Sequence, residues 1–316
     1  MRGIDEQVAR SGWSFRPAGV IWSALVALGG VLVFGGCSEE SSEALGSNGL
    51  IPLSAKSSQV ELLGLDRADG RASIRNLKDG QESEVFLVGG DLVIYEAGQH
   101  LVGNVVNRGE RPHLESVWPI GQADLARLQQ SNKDLARMAA TMSAHQVVME
   151  GDLVPEFALV DHAGKAFAIS DFRGRQLVMN FIFTRCGDVR MCPAANQRMV
   201  QLAEAVRADP EIAAPRFLVI SFDPMVDNPG TLYQFAAGLG VVYPDFRFAS
   251  GAPEVIANLL RAFGVRATER EGTIEHTMVT LLVDAGGRVQ YRRDGSYWTL
   301  DEFLRRFDRA KVEGEG

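Results

Sequence analysis

Two apolar runs, Gln176-Leu-Val-Met-Asn-Phe-Ile-Phe183 and Arg216-Phe-Leu-Val-Ile-Ser-Phe222, constrain this chain more than anything else in it. A strand with one solvated face alternates apolar and polar residues; these runs barely do, so both faces of each strand must be covered. Between them residues 193–208 read as a helix, with Pro193 in the first turn where its missing N–H costs nothing. Phe157-Ala-Leu-Val followed by Asp161-His-Ala-Gly164 reads as a strand and turn, and residues 169–174 as a short helical turn. Helices are expected over 229–239, 252–263 and 299–310, and a hairpin joins 278–283 to 289–292 across Asp284-Ala-Gly-Gly287. This βαβ…ββα order predicts an α/β domain with an open sheet flanked by helices, the thioredoxin-like layout, over residues 151–316.

Upstream the character differs. Residues 58–120 carry short alternating runs, among them Val60-Glu-Leu-Leu, Arg71-Ala-Ser-Ile-Arg, Glu84-Val-Phe-Leu-Val, Asp91-Leu-Val-Ile-Tyr and Leu101-Val-Gly-Asn-Val-Val. Turn residues such as Ala68-Asp-Gly and Lys78-Asp-Gly separate them, which predicts a small all-β barrel or sandwich, OB-like as one option. An exported copper-binding β module should show a cluster of Met, His and Trp; none is seen, so scaffolding or protein interaction is the expected role. Residues 121–150 form a linker segment whose helix, over 123–142, has an apolar seam of Leu125, Leu128, Leu135, Met138 and Met142. Asn132 interrupts the seam, as a buried Asn can in a dimeric coiled coil. Packing of this short helix on one of the two domains is the favoured expectation.

The N-terminus predicts export. Arg2, Arg10 and Arg16 precede an apolar run over 20–34, then Gly35-Gly36-Cys37, then a polar tether over 38–57. This pattern fits a lipoprotein signal over residues 1–37 with Cys37 lipidated. An uncleaved anchor over 18–36, with arginines before it and Glu39, Glu40 and Glu43 after it, is the alternative. Either reading tethers the body to a membrane on its extracytoplasmic, periplasmic side. The net charge of −8 and the lack of a basic stripe exclude a nucleic-acid partner.

With Cys37 assigned to the tether, Cys186 and Cys192 are the remaining thiols. They lie in Phe181-Ile-Phe-Thr-Arg-Cys186-Gly-Asp-Val-Arg-Met-Cys192-Pro193, between a buried strand and a helix N-terminus that favours thiolate and should lower its pKa. Together with a distant His276 they make a soft-plus-borderline ligand set suited to copper and, less exclusively, zinc. The same thiols could cycle between dithiol and disulfide. Three details favour the metal: five residues separate the thiols, Ile274-Glu-His-Thr-Met lacks the proline that thioredoxin-type reductases place opposite them, and a histidine stands there instead. Two thiolates and one imidazole suit Cu(I) and adapt to Cu(II) with one further ligand. A peroxidatic role for Cys186 fails, because Thr184 lies only two residues before it.

Taken together, several segments resemble the Sco/SenC copper proteins of cytochrome c oxidase assembly. They are Pro155-Glu-Phe, Asp161-His-Ala-Gly164, Phe183-Thr-Arg-Cys186, Cys192-Pro193, Val219-Ile-Ser-Phe-Asp223-Pro with Asp227 and Pro229, Phe263-Gly264-Val265, Glu275-His276-Thr and Leu282-Val-Asp284. The resemblance spans about residues 153–307. It implies copper, as Cu(I) or Cu(II), held by Cys186, Cys192 and His276, with Asp223 as an acidic accessory neighbour. It also implies a metallochaperone rather than an enzyme, with a respiratory copper protein such as a cytochrome c oxidase subunit as partner. A thiol-disulfide oxidoreductase acting through Cys186 and Cys192 on exported thiol proteins is the main alternative, and a redox or copper sensor a weaker one. The family's usual pattern is Cys-x-x-x-Cys-Pro, so the five-residue spacing here is a departure. Met191 is a soft group beside Cys192 for which simple packing is the better expectation. His100, His113, His145 and His162 have no support as ligands, and Asp223 before Pro224 could simply form a turn.

Overall fold

The computed structural model describes residues 49–309 apart from 144, 242–243 and 271–272. The signal or anchor with Cys37, most of the tether and the end of the expected closing helix lie outside the described residues. Among the described residues no helix is long and apolar enough to cross a membrane.

The first part is a closed barrel of β1 (Ser57–Asp66), β2 (Arg71–Asn76), β3 (Glu82–Phe86), β4 (His100–Arg108) and β5 (Arg111–Pro119), in the order β1-β2-β3-β5-β4. Helix α1 (Asp91–Ile94) lies between β3 and β4, and β1 closes on β4, the connectivity of an OB-type barrel. Val60, Leu62, Ile74, Val85, Leu101 and Leu114 fill the interior, and Tyr95 donates to the Val117 carbonyl at 3.0 Å. The run Asp91-Leu-Val-Ile, expected as strand, is therefore helical. The Gly90 carbonyl takes the N–H groups of both Val93 and Ile94, curling the chain so that Leu92 and Ile94 reach the barrel core while Val93 faces solvent.

Helix α2 (Leu125–Thr141) packs against the α/β part of its own chain. Asn132 is buried; its amide donates to the carbonyls of Gly49 (2.6 Å) and Ala158 (3.1 Å) and its oxygen accepts from Ala158 N–H (2.7 Å). The polar break in the seam thus satisfies backbone groups at the start of β6 (Ala158–Asp161).

The second part has a seven-stranded sheet in the order β14-β13-β8-β9-β10-β6-β7. Its further strands are β7 (Ala166–Ala168), β8 (Leu177–Ile182), β9 (Arg216–Ser221), β10 (Phe246–Ser250), β13 (Val279–Val283) and β14 (Val289–Asp294). Strands β8, β9 and β10 run parallel and β13 runs antiparallel to β8. Every residue of β8 is buried, Asn180 included, as its nearly continuous apolar run requires. Helices α3 (Cys192–Ala208), α4 (Pro229–Gly238), α5 (Pro253–Phe263) and α6 (Leu300–Leu304) flank the sheet, giving the thioredoxin-like fold. Helix α6 is shorter than expected. A separate hairpin of β11 (Ala267–Arg270) and β12 (Thr273–His276) was not foreseen; its strands pair only with each other. The barrel and α4 meet where Gly90 and Gly230 touch so closely that a Cβ on either would overlap its neighbour.

Candidate metal centre

The loop after β8, the start of α3 that follows it and the end of the distant β12 converge at the end of β8. Cys192 opens α3 with Pro193 in its first turn and is buried in the core of the α/β part. Cys186 is half-buried on the loop that leaves β8, its N–H donating to the Phe183 carbonyl at 3.4 Å. His276 ends β12, where the hairpin returns to the sheet beside Thr277, whose N–H and hydroxyl bond to the backbone of Arg266.

The His276 Nε2 lies 3.4 Å from the Cys192 Sγ and 3.8 Å from the Cys186 Sγ, and all three atoms fall within 4.8 Å of one another. Metal–sulfur bonds of about 2.3 Å and metal–nitrogen bonds of about 2.0 Å in a trigonal plane put sulfur and nitrogen about 3.8 Å apart. The trio therefore has the separations that one soft cation would need. Among the described residues no other such group of three forms, and Asp223 lies outside it.

The imidazole is prepared for ligation. Its Nδ1 lies 3.1 Å from the Thr277 carbonyl, which can only accept, so Nδ1 carries the proton and Nε2 presents its lone pair to the sulfurs. Burial holds the His276 pKa below the ordinary histidine value, which keeps the ring neutral. Phe183 and Phe222 pack around it at 5.5 and 5.0 Å between ring centres. Burial also pushes the Cys192 thiol well up, against the lowering expected from the helix N-terminus. Desolvation outweighs the helix field because the thiol sits inside the core rather than at its rim.

A cleft of about 270 Å³ opens beside the trio, lined by Cys186, Asp188, Met191, Ile274, Glu275 and His276. Met191 is half-buried and packs on the core. Asp223 is engaged by Arg185, whose Nη2 and Nε donate at 2.6 and 3.2 Å. His100, His113, His145 and His162 do not join the site, and His162 Nδ1 accepts from the Phe248 N–H at 3.2 Å. The residues around the thiol loop that sequence reasoning gave no role are Thr184, Ser221 and Asp227. Their signal was their place in the segments Phe183-Thr-Arg-Cys186 and Val219-Ile-Ser-Phe-Asp223-Pro, with Asp227 four positions after Asp223.

The SCO1/SenC family model matches residues 146–308, more than half of the chain. The chain belongs to the SCO1/SenC family. Among curated relatives, the mitochondrial SCO2 homolog of Bos taurus is 26% identical over 202 residues, covering 61% of this chain and 70% of that protein. The SCO1 protein homolog of Bacillus subtilis is 28% identical over 140 residues, covering 43% and 70%. A solved structure of Bradyrhizobium japonicum ScoI with copper bound is similar at 24% identity, covering 49% of this chain and 99% of that one, with a TM-score of 0.40. Against the SCO1/SenC pattern stated above, the five-residue spacing is accommodated by the loop: residues 187–190 are exposed, and both sulfurs still face His276.

Proposed function

We propose that this SCO1/SenC protein is an extracytoplasmic copper-binding metallochaperone that takes copper through Cys186, Cys192 and His276. It would deliver the metal to, or prepare, a respiratory copper site such as that of a cytochrome c oxidase subunit. The observation that carries the reading is the convergence of two sulfurs and an unprotonated Nε2 at separations one trigonal cation bridges. Copper is cargo here: soft thiolates select Cu(I), and the open cleft beside Cys186 gives an acceptor's ligands access to it. The N-terminal segment would hold the body at a membrane, through a lipidated Cys37 or an uncleaved anchor. Asp223 would act as an accessory group by holding Arg185, not as a ligand.

A second reading, a thiol-disulfide oxidoreductase working on cysteine pairs of exported proteins, draws on the two sulfurs lying within 4.8 Å of each other. His276→Ala separates the two. Titration of the reduced protein with Cu(I) against a competing chelator should show tight one-to-one binding that His276→Ala abolishes while disulfide exchange persists. Unchanged copper stoichiometry in His276→Ala, with exchange lost, would sink the metallochaperone reading. Mass spectrometry of the mature N-terminus tests the tether: a diacylglyceryl Cys37 supports the lipoprotein, and an intact Met1 eliminates it.

A further inference from the structure

The connection from β9 to α4 runs beside the thiol loop and holds it at consecutive residues. Asp223 receives Arg185, and Asp227 receives Thr184. Asp227 is fully buried. Its Oδ2 accepts from the Thr184 N–H at 3.0 Å and from the Ser221 hydroxyl, and its Oδ1 accepts from the Thr184 hydroxyl. A carboxylate is costly in a protein interior unless donors occupy its lone pairs, so a buried acid with three donors converging on it is a constructed feature.

The donors show what is being held. Ser221 is the last residue of β9, and it pairs with Ile182, the last residue of β8. Phe222 N–H donates to the Ile182 carbonyl at 2.9 Å. Beyond that bond Asp227 takes over, tying Thr184 to Ser221 after the strands separate. Thr184 stands two residues before Cys186, whereas Cys192 is fixed independently by α3. The residues between the cysteines are mostly exposed, and the bonds they make stay inside the loop: the Asp188 carboxylate accepts from the Arg190 N–H and guanidinium, and its carbonyl from the Met191 N–H. The tie between the Cys186 end of the loop and the sheet is therefore made upstream, at Thr184.

We propose that Asp227 is a positioning residue of the metal centre: by clamping Thr184 to the end of β9 it sets where Cys186 stands. The inference rests on the copper reading for its function but on the hydrogen bonds alone for its geometry. Three variants of the full-length, reduced protein test it: Thr184→Val, which keeps shape and loses the hydroxyl donor; Thr184→Ser, which keeps the donor; and Asp227→Asn. Thr184→Val and Asp227→Asn should weaken Cu(I) binding about tenfold, the scale of one hydrogen bond to a charged group. Both should also shift the sulfur-to-Cu(II) charge-transfer band, while Thr184→Ser matches the parent in both measurements.

A metal-free readout uses glutathione. Two protein thiols and one glutathione disulfide give the Cys186–Cys192 disulfide and two reduced glutathiones. At a fixed glutathione ratio Thr184→Val should change the disulfide-to-dithiol ratio severalfold, and Thr184→Ser should not. The positioning role is overturned if Thr184→Val matches the parent in the glutathione equilibrium, or if Thr184→Ser departs as far as Thr184→Val. A parent protein that binds no copper defeats the copper reading alone, and the glutathione equilibrium then decides the positioning role by itself. Should Asp227→Asn fail to fold, the Val and Ser pair carries the same test.

Discussion

At the scale of single residues the two cysteines are not equivalent. Cys192 is sealed in the core with its thiol pushed up by burial, while Cys186 is half-exposed beside an open cleft. Alkylation needs thiolate and access, so iodoacetamide should label Cys186 in the reduced, metal-free protein at least about tenfold faster than Cys192. Peptide mapping over a time course checks this, and preferential labelling of Cys192 would contradict the arrangement. His276 is fixed by its Thr277 carbonyl contact and the flanking rings of Phe183 and Phe222. Replacing it by Ala should lower Cu(I) affinity by more than about a hundredfold, beyond the loss typical of outer-shell partners. Cys186, Cys192 and His276 were legible as candidates because their side chains are chemically distinctive. Asp227 was visible only as part of a family-like segment; its role as a buried acceptor appears once its donors are seen.

Secondary-structure elements were legible where burial and period agree. Strands β8 and β9 are covered on both faces, which left a nearly continuous apolar signature, and α3 carries its proline in the first turn. Elements whose support comes from elsewhere were harder. The β11–β12 hairpin is short and forms a sheet of its own apart from the main one, so neither length nor a place in the main sheet marks its strands. In α2 the meaning of Asn132 depends wholly on what it meets. Replacing Asn132 with Leu leaves the Ala158 N–H without this partner, and urea unfolding should show a loss of about 1–3 kcal/mol. A variant that instead gains stability and dimerises in sedimentation would revive the coiled-coil expectation.

Across the whole molecule the barrel and the α/β part are joined by close backbone contact. Gly90 and Asp91 of the barrel press on Gly230, at the start of α4 and just after Asp227. Burial in this seam pushes the Asp91 carboxyl up to about 8. An unfolded chain releases that proton near pH 4, so between about 4 and 8 the folded protein holds a proton the unfolded one has lost. Stability should therefore fall as pH rises through this window and level off above it. Asp91→Asn should remove that slope, matching the parent near pH 4 and exceeding it by on the order of 5 kcal/mol at pH 9, about 1.4 kcal/mol for each of roughly four pKa units. Thermal or denaturant unfolding of both proteins across this range checks the sign; an equal gain at all pH values would assign the effect to packing instead.

The thioredoxin-like class could be read along the chain, since strands buried on both faces are apolar almost throughout, and the thiols and imidazole stood out by their chemistry. That two sulfurs and Nε2 of His276 share one small volume emerges only from the folded chain. Only there, too, does Asp227 become a clamp and Asp91 a buried acid at a seam. The reason is physical: periodicity records which face of an element is buried, whereas the partner met on that face depends on contacts made across long separations in the chain.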